Sequence, residues 1–121
     1  MRKLFIAAFI FVSTFTTNTF AEVKMGIILG FTGPIESLTP AMAASAELAF
    51  KEASDSGSLL GGKKIEVMRA DSTCVDSAAA TAAAEGLISG GVAAIMGADC
   101  SGVTGAIATN VAVPNLSLIH I

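Results

Sequence analysis

Cys100 and Ser101 stand together in "GADCSG" (97–102), a glycine-flanked turn that also holds Asp99; the other cysteine, Cys74, lies in "DSTCVDS" (71–77). A thiol, a hydroxyl and a carboxylate in one turn suit nucleophilic catalysis, metal ligation or a purely structural role. Nucleophilic use of Cys100 or Ser101 needs a nearby base, most often histidine. The one histidine, His120, falls in a terminal hexapeptide set aside below, and "CSG" lacks the G-x-S-x-G frame of a nucleophile elbow. Two widely spaced cysteines without supporting ligands cannot supply the four that zinc takes, so no metal site is expected.

No cofactor is expected either. Gly26, Gly30 and Gly33 miss the G-x-G-x-x-G spacing of a dinucleotide site. "GSLLGGKK" (57–64) puts Lys64 where a phosphate loop needs Ser or Thr, and it precedes a strand rather than a helix, so it reads as a turn.

The N-terminus sets the redox compartment. Arg2 and Lys3 precede an apolar run from Leu4 to Val12, and small residues lead to a cut after Ala21. That pattern is a secretory signal peptide over residues 1–21, too short in its apolar part for the ~20 residues of a membrane span. In an exported chain two cysteines most simply form a disulfide. Cys74 follows the second expected strand and Cys100 the third; these strands are expected to be neighbours, which would bring the two loops side by side.

Removing residues 1–21 leaves five basic against ten acidic residues, a net charge of −5, with no Trp or Tyr. Nucleic-acid binding relies on basic grooves and stacking aromatics, so it is not expected. The remaining chain is rich in Ala, Gly, Val and Ile, and its length suits one small α/β domain.

The elements that must position these residues follow from periodicity. "KMGIILGFT" (24–32) is an apolar run bounded by glycines and reads as a buried strand. A helix over 39–57 starts with Thr39 as N-cap and Pro40 in its first turn and stops at Gly57. Its apolar stripe is Met42, Ala46, Ala49, Phe50 and Ala53, with Glu47 and Lys51 paired on the outer face. A second strand (63–72) alternates Ile65, Val67 and the stem of Arg69 against Glu66 and Met68. A helix over 75–91 takes Asp76 as N-cap and ends at Gly90-Gly91, a third strand covers 92–97, and a third helix covers 101–113. Pro114 ends that helix and opens a fourth strand.

This alternation predicts a Rossmann-like parallel α/β sheet covered on both faces, with ligands expected at the carboxyl ends of its strands. Loops 31–38, 71–76 and 98–102 meet there. Ser101 is expected to cap the third helix. Its hydroxyl and the adjacent free N–H groups could take a small carboxylate, or the serine could serve its helix alone.

The signal peptide, "GIILGFTGPIESLTPAMAASAELAFKEA" with its T-G-P, "GGKKIEVMRADSTC" and "AAIMGADCSGVTGAIAT" resemble the periplasmic branched-chain amino-acid-binding proteins, substrate receptors of ABC importers. The resemblance covers 22–115. It implies an incomplete first α/β lobe of a two-lobed type I periplasmic binding protein, which closes over a free amino acid and hands it to a membrane permease. It implies a non-enzymatic, periplasmic protein, monomeric when full length. By position, Ser101 contacts the ligand carboxylate, Thr104 is a further candidate contact, and Leu38 forms a wall beside the ligand side chain where relatives often carry an aromatic. Rival expectations are the same fold binding amides, urea or aromatic acids, a sensor domain, and a secreted α/β hydrolase. "LSLIHI" (116–121), which holds Ser117 and His120, matches translated sequencing-adapter DNA and is expected to be non-native. A chain without its second lobe would bind solute poorly.

Overall fold

The computed structural model describes residues 22–115. The expected signal peptide (1–21) and the terminal hexapeptide (116–121) lie outside these residues. Three parallel strands form one sheet: β1 (Glu22–Leu29), β2 (Lys64–Asp71) and β3 (Ala94–Gly97), in the order β2-β1-β3. Helix α1 (Thr39–Asp55) joins β1 to β2, α2 (Ser77–Ser89) joins β2 to β3, and α3 (Ser101–Ile107) follows β3.

The central strand explains the packing. Successive side chains of a strand point to opposite faces. Ile27 and Leu29 therefore meet Ala43 and Phe50 of α1, with Val67 and Met96 beside them. Ile28 faces the other way, into Ala80, Ala84 and Leu87 of α2 and Val103 and Ile107 of α3. Ile27 and Ile28 are both fully buried, and each such side chain contributes about 1.5–3 kcal/mol. A strand apolar on both faces is one covered on both faces, as its sequence indicates. Gly26 lets α2 approach: a β-carbon there would stand 2.9 Å from Leu87 Cδ1.

Several local expectations are met. Asp76 caps α2, its Oδ1 accepting the N–H groups of Ala78 (2.9 Å) and Ala79 (3.0 Å). Gly57, just past α1, has φ +67, and the 57–64 segment is a turn with Gly61 and Gly62 left-handed.

Others are corrected. Leu38, not Thr39, occupies the cap position of α1, because residues 34–38 already form successive turns and Leu38 itself has helical backbone angles. The inward stripe of α1 is Thr39, Ala43, Ala46, Phe50 and Ser54, while Met42 and Ala49 are exposed. The two hydroxyl residues belong inside because they serve buried backbone. Thr39 Oγ1 donates to the Gly30 carbonyl (3.1 Å), and Ser54 Oγ accepts the Ile65 N–H (3.1 Å). Glu47 does not pair with Lys51. It receives the fork of Arg69 from β2 (Nη2–Oε2 2.8 Å), a bidentate geometry an ammonium cannot match, and Lys51 turns to Asp55.

Two topological expectations also fail. β2 and β3 are not neighbours; each pairs with β1, from opposite sides. The chain stays helical beyond Pro114, through a π-helical stretch (Ala108–Ala112) to Val113–Asn115, so no fourth strand begins within the described residues. The Val113 N–H reaches back to the Ala108 carbonyl, a widened turn beside the proline, which lacks an N–H of its own.

Candidate functional site

Register levels the three strand ends. Leu29 stands opposite Asp71, and Ile28 opposite Gly97, so the loops after all three strands leave the sheet at one edge. With β2 and β3 on either side of β1, this is where connections diverge, the place at which open α/β sheets bind ligands.

The disulfide Cys74–Cys100 ties the loop after β2 to the loop after β3, with Cα atoms 5.2 Å apart. It crosses over the end of β1 rather than joining adjacent strands. A β-carbon on Gly30 would lie 3.2 Å from Cys74 Cβ, and one on Gly33 2.5 Å from the Thr73 carbonyl oxygen. The loop after β1 is thus pressed against the bridged loop, and glycine at these two positions permits it.

Carboxylates hold the same edge from within. Asp71 Oδ2 accepts the Thr32 hydroxyl (2.6 Å), and its Oδ1 accepts the N–H groups of Thr73 (2.8 Å) and Thr32 (3.3 Å). Burial alone would raise the Asp71 pKa. The Thr32 hydroxyl and the N–H groups of Thr73, Thr32 and Phe31 outweigh it and hold the group below its ordinary value. Arg69 Cζ lies 5.6 Å from the Phe31 ring centroid while its fork holds Glu47, so the start of the first loop rests on an ion pair already in use. That hydrogen bond keeps Glu47 below the usual carboxylate range.

Asp99, to which the sequence assigns no role, faces inward. Its Oδ2 accepts the Gly30 N–H at 2.8 Å, and its Oδ1 lies 3.4 Å from the hydroxyl of fully buried Ser72. The one available signal was a lone carboxylate at the end of an apolar strand.

The other sequence-selected residues share this edge. Ser101 is the first residue of α3, exposed, and its hydroxyl bonds to no other described residue; Cys100, in extended conformation, takes the cap position expected for Ser101. The first helical bond there runs from the Thr104 N–H to the Cys100 carbonyl (2.9 Å), which leaves the N–H groups of Ser101, Gly102 and Val103 ahead of it. The Thr104 hydroxyl lies 2.8 Å from the Cys100 carbonyl and 3.1 Å from that of Ala98, fastening the loop to the helix. Leu38 is 61 % exposed at the start of α1, and no hydrogen bond links it to Ser101 or Thr104. Among the described residues, no group of three His, Cys, Asp or Glu could hold a metal ion, and no helix is long and apolar enough to cross a membrane.

The family model described as "Periplasmic binding protein" matches residues 22–119. No curated protein matches the chain closely enough to count as a relative.

Proposed function

Because the chain belongs to the periplasmic binding protein family, we infer that it is a receptor for a free amino acid, branched-chain or related, which it delivers to the membrane permease of an ABC importer. Membership itself carries the solute-binding role, the periplasmic location and, as a general rule, the absence of catalysis. The amino-acid assignment goes further and rests on one observation. Ser101, exposed and with no partner for its hydroxyl among the described residues, begins a helix at the carboxyl edge of a parallel sheet. A hydroxyl beside free helix N–H groups is complementary to a ligand carboxylate. Exposed, apolar Leu38 at the same edge supplies a wall for an aliphatic side chain, and Thr104 holds the helix start.

Calorimetry of the full-length, two-lobed protein that the resemblance implies, against L-leucine, L-isoleucine and L-valine, tests this reading. Binding that Ser101→Ala weakens about tenfold, through loss of one hydrogen bond to a charged group, supports it. Binding of acetamide, urea or an aromatic acid in place of these amino acids overturns it.

A further inference from the structure

We propose that Asp99 is the positioning residue of the solute-binding edge: its carboxylate fixes Ser101 relative to the loop that follows β1. The functional meaning of this step rests on the receptor reading above.

Three loops meet on this one side chain. From the first, the Gly30 N–H donates to Oδ2 at 2.8 Å. From the second, the hydroxyl of Ser72 donates to Oδ1 at 3.4 Å, while the Ser72 N–H is held by the Leu29 carbonyl at 2.8 Å. The third loop is Asp99's own, between β3 and Cys100. A carboxylate suits this place because it only accepts, and its two oxygens can serve an N–H and an O–H at once. Gly30 is buried and held at both ends, since its carbonyl takes the Thr39 hydroxyl at 3.1 Å.

Asp99 is therefore anchored to fixed backbone, and Ser101 follows two residues later. Cys100 between them is tied to Cys74, so the pair of restraints leaves the Ser101 position little freedom. The other acidic residues of the edge do different work: Asp71 joins the loops after β1 and β2, and Asp76 caps its own helix. Among the described side chains, Asp99 alone hydrogen-bonds the loop after β3 to the other two. A binding group held in place before the solute arrives loses less freedom on binding.

The test compares the full-length, two-lobed protein with its Asp99→Ala, Asp99→Asn and Ser72→Ala variants, by calorimetry with L-leucine and by amide NMR of the solute-free protein. Asp99→Ala should weaken L-leucine about tenfold or more, and Ser72→Ala, which leaves residues 97–101 unchanged, should shift the amide signals of both Gly30 and Ser101. Asp99→Asn keeps an acceptor for Gly30 and turns an NH₂ to the Ser72 oxygen, so it should stay within about threefold of the wild type. A purely structural role would lower the melting temperature of Asp99→Ala, leave its affinity unchanged and leave the Ser101 signal of Ser72→Ala unshifted; that result overturns the proposal. If the wild type binds no amino acid, the receptor reading falls, and an unmoved Ser101 signal in Ser72→Ala still decides against positioning. Should Asp99→Ala not fold, Ser72→Ala takes its place, and unshifted Gly30 and Ser101 signals there overturn the proposal.

Discussion

A β-carbon on Gly97 would collide with the carbonyl oxygen of Ile28. Gly97 closes β3 with φ +122, a conformation costly for any residue with a side chain, and its obstacle is backbone of the central strand. Gly97→Ala should therefore cost more than about 2 kcal/mol in urea denaturation. Gly105→Ala, on α3 with open space around its Cα, should instead stabilise by about 0.5–1 kcal/mol.

Reducing Cys74–Cys100 frees a loop with a sequence separation of 26. On the chain-entropy account this removes about 3.5 kcal/mol, read as a lower denaturation midpoint in dithiothreitol. Thr73 and Cys74 both have left-handed φ (57 and 70), so the loop after β2 should be the first to rearrange once the bridge opens. Hydrogen exchange at the Thr73, Cys74 and Val75 amides checks this.

Acid should weaken the fold through Asp71. Its pKa is lower folded than unfolded, so its stabilisation is complete above the unfolded value of about 4 and is lost as pH falls through the folded value. Thr32→Val removes the hydroxyl that lies 2.6 Å from the carboxylate. Loss of this donor should move the Asp71 titration, followed by carboxyl NMR, upward toward the ordinary range. An unmoved titration would show that the backbone donors suffice.

Asp76→Ala should cost about 1 kcal/mol, because the N–H groups of Ala78 and Ala79 lose their acceptor. Asp76→Asn keeps an oxygen there and should recover most of the loss in thermal melts.

The elements were legible where short-range chemistry marks them. Asp76 before an alanine run, Gly57 after α1 and the unbroken apolar stretch of β1 each act on immediate neighbours. The face of α1 was misread by one position because Thr39 and Ser54 are polar by type yet buried, each answering a backbone group from elsewhere in the chain. Strand order was not legible, since the residues of β2 and β3 suit pairing with each other as well as with β1. The pairing of cysteines could be anticipated from the compartment that the N-terminal residues imply, although the path of the bridge over β1 could not. At the site, Ser101 and Leu38 both lie at the carboxyl edge of the sheet; Ser101 was singled out by its place after a turn and Leu38 by the resemblance alone. Asp99 was not, because its meaning lies in Gly30 and Ser72, which only the folded chain brings to it.

The sheet order also governs how the chain can fold. β1 is parallel to both partners, so no hairpin can seed the sheet, and the earliest strand waits for residues made much later. The ties that seal its end reach from Thr32 across 39 residues to Asp71 and from Gly30 across 69 to Asp99. Such distant closure is slow. A chain organised this way leaves the strand that carries its most deeply buried residues, Ile27, Ile28 and Leu29, unpaired longest.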